Sequence, residues 1–238
     1  MNNYLDHLDN MYNKKSFERK VDYIRYNFSE IFKQKKFGKN VSILEIGPGK
    51  GEMIHYLNIK GIKDIDVIDN DKNVLKYIKK RFKIKNSYLS NSPISIKSRL
   101  GKYDLIVMIQ VLEHLATVQH KKLLQILYKH LNNSGYIAIV VPNAGNPLGI
   151  VERYGDLQHT TSFTEQSLKD LVNFSGLKNC KVYIRGYEMP PFSLLNIIRI
   201  FLQKILHWIL LLILIINGGI FFRTLAPNIM LLIKKSDN

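Results

Sequence analysis

The stretch ILEIGPGKGEM at residues 43–53 decides the fold of this chain. An apolar run stops at Glu45, and Gly47, Gly49 and Gly51 follow within a few residues. Glycines allow a tight turn after a strand and let a ligand approach the backbone closely. The stretch therefore predicts a strand that ends in a ligand-binding turn.

The spacing of this turn excludes two common ligands. A phosphate-binding loop needs GxxxxGK followed by Ser or Thr, whereas Lys50 is followed by Gly51. The dinucleotide fingerprint GxGxxG has a glycine where Glu52 stands, and a carboxylate there repels a pyrophosphate. Asp69 ends a second apolar run, where an acid can accept both hydroxyls of a ribose. The pattern predicts a ligand with a ribose and cationic groups but no phosphate.

Strand-like apolar runs alternate with helix-like segments along most of the chain. The predicted strands cover residues 41–46, 64–68, 86–89, 103–109, 136–141, 180–186 and 228–235. Helices are predicted over 17–32, from about 52, over 73–82, near 117–131, and from a Thr164 cap to Gly176. Strands that are apolar almost throughout lie in parallel sheets covered on both faces. We therefore predict a doubly wound α/β fold with a seven-stranded, mostly parallel sheet.

The amino-acid composition limits which binding partners are expected. The single cysteine, Cys180, cannot form an internal disulfide, which fits a reducing cytoplasm. The formal net charge is +16, and an anionic membrane surface is a better match for it than nucleic acid. Nucleic acid is not expected as a partner, because no nucleic-acid-binding motif accompanies the charge.

Three segments together resemble the class I S-adenosylmethionine-dependent methyltransferases, which have a Rossmann-like fold. They are EIGPGKG, the acid of VIDND at the end of strand two, and YDLIVMIQVLEHL as strand four. The resemblance implies an enzyme whose cofactor is S-adenosylmethionine. It places the turn glycines and Gln110 near the methionine part of the cofactor, where Glu45 would orient that part. It also implies that Asp69 holds the ribose and that Asn70 lies beside the adenine.

The chain departs from the related methyltransferases at two places. Many members carry an acid after strand three for the adenine amine, where this chain has Ser90 or Asn91. Quinone-pathway relatives have E-x-x-E-H, a possible metal site, where Gln110 replaces the first Glu. One carboxylate and one imidazole make a poor magnesium site. We therefore expect no metal, and expect Glu113 and His114 either to support residues that contact the ligands or to have a structural role.

The segment RYGDLQHTTSFTEQSLKDLVNFSGL at 153–177 is similar to methyltransferases of bacterial surface-polysaccharide biosynthesis. The similarity implies a sugar hydroxyl as acceptor, either free, nucleotide-linked or lipid-linked. His159 is the candidate general base, and Asp156 would orient it. The candidate acceptor-binding residues are Arg153, Tyr154 and Asn143. Two alternatives stay open: methylation of a lipid or quinone precursor, and a non-catalytic scaffold with this fold.

The apolar segment 192–222 interrupts the pattern before the last strand. Its polar residues fall on one helix face, at Asn196, Arg199, Gln203 and His207. This predicts a helix in the membrane interface, with a turn at 217–219 that sends the chain back. The protein would then lie in the cytoplasm, on the inner face of the cell membrane. The alternative is a helix buried in a homodimer interface.

These features divide the chain into four predicted parts. They are an N-terminal helical cap at 1–40, a cofactor-binding core at 41–191, the apolar insertion at 192–222, and a final strand and tail at 223–238.

Overall fold

A seven-stranded sheet with the order β3-β2-β1-β4-β5-β7-β6 organises the molecule. The structure is a computed structural model that describes residues 14–34, 37–150 and 154–237. The strands are β1 (Ile43–Ile46), β2 (Ile65–Asp69), β3 (Asn86–Leu89), β4 (Tyr103–Ile109), β5 (Leu131–Pro142), β6 (Cys180–Gly186) and β7 (Asn228–Lys235). The first five strands pair in parallel, and β7 runs antiparallel to β5 and β6. This confirms the predicted fold class.

Helices connect the strands and cover the sheet. They are α1 (Lys14–Asn27), α2 (Ser29–Phe32), α3 (Glu52–Ile59), α4 (Lys72–Arg81), α5 (Thr117–Lys129), α6 (Glu165–Phe174) and α7 (Leu194–Gly218), with 3-10 turns at Lys97–Arg99 and Leu112–His114. Thr164 caps α6 as predicted, through reciprocal hydrogen bonds with Ser167. The helix predicted over 17–32 is two helices, separated by a turn at Phe28, whose side chain is fully buried.

Alternate residues of each central strand enter two separate apolar layers. In β4, Leu105 and Val107 join the layer on one face of the sheet, while Ile106 and Met108 join the layer on the other. Successive side chains of a strand point to opposite faces, so a strand that is apolar at every position must be covered twice. The helices on both faces provide that cover.

The antiparallel strand β7 determines where the apolar insertion is attached. Asn228, its first residue, pairs with Pro142 at the end of β5, and the next residue pairs with Gly186 at the end of β6. The chain therefore leaves β6 and returns to β7 at the carboxyl edge of the sheet. Ligands of open α/β sheets bind at this edge.

Helix α7 carries the insertion, and none of its residues is buried. It is the one helix within the described ranges that is long and apolar enough to cross a membrane. The prediction of a turn at 217–219 is wrong for its first two residues, which are helical. Gly219 alone adopts a left-handed conformation, with φ of 65°, and its N–H donates to Ile215 O at 2.8 Å. The helix ends where glycine can supply this conformation.

The predicted polar face of α7 is the better covered one. Asn196, Gln203 and His207 are half-buried, while Arg199 is exposed. Asn196 Nδ2 donates to the carbonyl of Pro190, in the segment that enters the helix. Most of the large apolar side chains of α7 are exposed among the described residues, with Trp208 at 77 %. The helix thus presents an apolar surface outward.

Candidate active site

The carboxyl ends of β1, β2 and β4 bring the predicted cofactor residues together. Glu45 lies on β1, Asp69 is the last residue of β2, and Gln110 directly follows β4. Because β1 lies between β2 and β4 in the sheet, the three positions are neighbours at one edge. The structure therefore assembles one site from residues far apart in sequence.

The glycine turn after β1 needs glycine for conformation and for space. Gly47, Gly49 and Gly51 all have positive φ, at 69°, 52° and 82°. A Cβ on Gly47 would lie 2.4 Å from a methyl of Val111, and one on Gly51 would lie 2.5 Å from the ring of Phe82. Because these three positions have no side chains, the backbone of the turn is left uncovered next to the buried carboxylates of Glu45 and Asp69.

Glu45 is the strongest electrostatic feature of this site. Its side chain is buried, and Oε2 has no hydrogen-bond partner among the described residues. Burial raises the pKa of Glu45 well above its usual value, and the nearby carboxylates of Glu52 and Asp69 raise it further. A buried carboxylate without a partner is costly. A cationic ligand at this place would relieve both the burial and the repulsion.

Asp69 is placed to accept hydroxyl groups. Burial raises its pKa to about 6, although its Oδ1 accepts the N–H of Asp71 at 2.8 Å. Asn70 follows it and is exposed. On the neighbouring strand end, the hydroxyl of Ser90 donates to the carbonyl of Ser92, while Asn91 is exposed. The contact with the adenine amine stays a prediction.

Gln110 links the cofactor side to the last strand. It has a left-handed backbone conformation with φ of 56°, which is uncommon for a residue with a side chain. Its Nε2 donates to Oδ1 of Asn228 at 2.6 Å. The side chain is therefore oriented by the first residue of β7.

The acceptor side is built on the 3-10 turn Leu112–His114 that follows β4. The N–H groups of Thr160 and Thr161 both donate to the carbonyl of Glu113, at 2.9 and 3.2 Å. The Thr160 hydroxyl donates to the same carbonyl. These bonds hold the preceding residue, His159, beside His114, with ring centroids 4.7 Å apart. The predicted base thus lies directly next to the VLEH segment.

Sequence reasoning missed the importance of Glu113 and His114. Glu113 is 1 % exposed, and both its carboxylate oxygens and Nδ1 of His114 have no hydrogen-bond partner in the described part of the chain. Burial raises the pKa of Glu113 to about 8. Burial lowers the pKa of His114, and the His159 imidazole lowers it further. A purely structural role does not explain why these buried polar atoms lack hydrogen-bond partners.

Three further residues were predicted for the acceptor side, and the structure describes two of them. Asp156 carries a carboxylate that accepts the N–H of Gln158 at 2.8 Å, and its carbonyl accepts the N–H of His159 at 3.3 Å. It therefore shapes the turn that presents His159. Tyr154 is 70 % exposed at the start of this segment. Arg153 lies outside the described residues.

The structure corrects the role of Asn143, which was predicted to bind the acceptor. Its side chain is 2 % exposed, and its amide nitrogen donates to the carbonyls of Thr224 and Ala226. Its amide oxygen accepts the N–H of Gly145 at 2.9 Å. With both ends of the amide engaged, Asn143 fastens the chain that returns from the insertion to the loop after β5.

Comparisons with known proteins agree with this geometry. A family described as "Methyltransferase domain" matches residues 12–182. No curated protein matches the chain.

Solved structures with the same fold cover nearly the whole chain. A SAM-dependent methyltransferase from Archaeoglobus fulgidus is 19 % identical over 90 % of this chain and 94 % of its own, with a TM-score of 0.61. The plantazolicin methyltransferase BpumL, solved with S-adenosylhomocysteine, is 19 % identical over 98 % and 88 %, with a TM-score of 0.62. The methyltransferase domain of the bacterial protein CtHen1 is 14 % identical over 91 % and 98 %, with a TM-score of 0.55.

These findings confirm the predicted methyltransferase activity and S-adenosylmethionine as the cofactor. The family match covers well over half of the sequence. The chain therefore belongs to the methyltransferase-domain family.

Proposed function

We propose that this methyltransferase transfers the methyl group of S-adenosylmethionine to a sugar hydroxyl of a lipid-linked glycan precursor at the membrane surface. The observation that carries the proposal is the attachment of α7, with its outward apolar surface, to the sheet edge that holds the site. An enzyme built this way meets its acceptor at a lipid surface.

The cofactor side follows from the buried acids. Glu45 would hold the amino group and sulfonium end of the cofactor, and Asp69 would accept the ribose hydroxyls. In the reaction the S–CH₃ bond breaks with its electron pair going to sulfur, while an acceptor oxygen forms the new C–O bond. The sulfonium is already a good leaving group, so alignment of the acceptor oxygen and exclusion of water are the main tasks.

The acceptor hydroxyl would lie against the cluster formed by Glu113, His114 and His159. A hydroxyl must lose its proton as the methyl group is transferred, and the cluster is where that loss is assisted. Asp156 supports His159 through the turn they share. Arg153 and Tyr154 are the residues proposed to bind the sugar or its phosphate.

The placement of α7 on a membrane rests on chain geometry. The helix has 25 residues and spans about 38 Å. Residues 219–227 must bring the chain back to β7, and nine extended residues reach about 31 Å at most. A span across the bilayer would leave this non-helical return segment in hydrocarbon with unsatisfied backbone groups. A helix lying in the interface avoids that cost.

Charge and a second apolar patch support the same orientation. Arg199, Lys204 and Arg223 flank the apolar surface, on a chain of net charge +16, and would attract anionic lipid. Leu148 and Leu157, in the loops of the acceptor side, are exposed like the residues of α7. We propose that these residues contact the same lipid surface as α7.

The test follows a labelled methyl group. Purified enzyme is incubated with methyl-labelled S-adenosylmethionine and a lipid extract of its host, and the products are treated with mild acid. Label that enters the organic phase and moves to the water phase after acid release supports a lipid-linked sugar. Label that stays in the organic phase overturns the sugar and favours the lipid or quinone alternative.

A second experiment tests the membrane placement. The full chain and a variant with 192–222 replaced by a short polar loop are compared by vesicle flotation and by size in solution. We expect flotation of the full chain alone, with equal S-adenosylmethionine affinity in both. A full chain that stays soluble without detergent as a dimer, while the variant is a monomer, would establish the homodimer interface instead.

A further inference from the structure

We propose that Glu113, His114 and His159 form a binding site for one divalent transition-metal ion. Each of the three side chains offers a donor atom, and these atoms all lie within 4.8 Å of one another. No other cluster of this kind occurs in the described part of the chain.

The distances are compatible with an open site that closes on its ion. With metal–ligand bonds of about 2.1 Å, two donors lie at most about 4.2 Å apart. Donors separated by close to 4.8 Å must therefore move together by roughly half an ångström or more. Rotations of His159 and His114 can supply this movement, because both side chains are only partly buried.

The state of Glu113 is the second, independent observation. Its carboxylate is 1 % exposed, and neither oxygen has a hydrogen-bond partner within the described residues. Nδ1 of His114 is likewise buried and without a partner there. Three orphaned acceptor atoms beside a second imidazole are a costly arrangement for an apolar pocket. A bound cation satisfies all of them at once.

The donor set selects the class of metal. Two imidazoles and one carboxylate suit zinc, iron or manganese better than magnesium, which prefers an all-oxygen shell. Three protein ligands also leave coordination positions open. The sequence alone indicated no metal, because Gln110 stands where the quinone-pathway relatives have a glutamate ligand. The fold supplies a third donor instead, His159, which lies 45 residues after His114 in the chain.

The ion would deepen the proposed function, and this part rests on it. An acceptor hydroxyl bound at an open position would be acidified by the cation, and its proton would pass to solvent as the C–O bond forms. His159 then assists the reaction as a ligand that holds the ion rather than as the free base.

Cobalt(II) is a suitable probe, because its visible absorption reports the coordination shell. The tag-free full chain is stripped with EDTA, dialysed and titrated with Co²⁺, and Zn²⁺ is then used to displace it. We expect one equivalent of Co²⁺ per chain. Glu113→Gln and His159→Ala should each weaken binding at least 100-fold. His130→Gln is the matched control, since His130 contacts the carbonyl of Gly101 instead.

The outcomes separate this site from the proposed function. S-adenosylmethionine affinity is measured for every variant, so that a loss of fold is recognised. Wild-type protein that binds the cofactor but neither Co²⁺, Zn²⁺ nor Mn²⁺ at 100-fold molar excess would overturn the site. Equal Co²⁺ affinity in the Glu113→Gln variant would do the same. One equivalent of Co²⁺ without methylation of any sugar acceptor supports the site and counts against the acceptor alone.

Discussion

Gln110 donates a hydrogen bond from Nε2 to Oδ1 of Asn228 at 2.6 Å, and so joins the end of β4 to the start of β7. Gln110 is predicted to lie near the cofactor, while Asn228 is the first strand residue after the insertion returns. This single contact couples the cofactor side of the site to the segment proposed to lie on the membrane.

We expect the two residues to be energetically coupled. Gln110→Ala and Asn228→Ala should each destabilise the fold by about 1 kcal/mol, the usual net contribution of a side-chain hydrogen bond. The double variant should cost about as much as either single one. Urea denaturation of the four proteins measures this coupling. Fully additive losses would show that the contact contributes nothing.

The glycine turn predicts an order of sensitivity. Gly49→Ala should cost about 1 kcal/mol, because its φ of 52° is strained for alanine but the surrounding space is open. Gly51→Ala should cost about 2–4 kcal/mol, because its Cβ also meets the Phe82 ring at 2.5 Å. Denaturation midpoints rank the two variants, and Phe82→Leu should recover part of the loss in the Gly51→Ala background.

Cofactor affinity should depend on pH through Asp69, whose pKa is raised to about 6. The carboxylate predicted to accept the ribose hydroxyls is ionised above this value, so binding should weaken about tenfold between pH 7 and pH 5 as this group is protonated. Titration calorimetry of wild type and Asp69→Asn checks the prediction. The variant should bind the cofactor weakly at both pH values. If its affinity changes with pH as much as that of the wild type, another group is responsible.

The same residue should affect stability in the opposite direction. A carboxyl group whose pKa is raised by folding gives stability that is present at acid pH and lost as pH rises through about 6. Asp69→Asn should therefore stabilise the cofactor-free protein at pH 8, by at most about 3 kcal/mol in the free energy of unfolding. Its melting temperature at pH 8 should be higher than that of the wild type. Equal melting temperatures of both proteins at pH 8 would contradict this.

Trp208 is the chain's single tryptophan and lies exposed on α7, so its fluorescence reports the insertion alone. We expect a blue shift on mixing with anionic vesicles and a smaller one with zwitterionic vesicles. Salt should weaken binding, and Arg199→Gln with Lys204→Gln should reduce that salt dependence. An emission maximum that ignores vesicles but shifts with protein concentration would indicate self-association.

The sheet could be read from the sequence because it is buried on both faces. Runs such as YDLIVMI are apolar at nearly every position, which is typical of a strand covered on both faces. The structure shows that this run is a strand. The end of α7 could not be read with the same accuracy. Two adjacent glycines allow either to adopt the left-handed conformation, and the sequence does not say that Gly218 stays helical.

The candidate site was predictable on the side where each residue follows its own strand. Glu45 and Asp69 have positions fixed by strand ends, so their place in the chain gives their place in space. The cluster on the acceptor side was not predictable, because it depends on the carbonyl of Glu113 receiving Thr160 and Thr161. Every residue has a backbone carbonyl, so the sequence does not show which one accepts these hydrogen bonds. The paired threonines after His159 were the available sign.

The proposed membrane attachment of this enzyme lies in one replaceable segment, the connection between the antiparallel strands β6 and β7. This connection can be shortened, lengthened or exchanged without altering the register of the five parallel strands that build the site. Relatives that work on soluble acceptors would need only a plain loop here. If the segment binds lipid as proposed, grafting 192–222 into the equivalent connection of such an enzyme should bring an unrelated methyltransferase to a lipid surface.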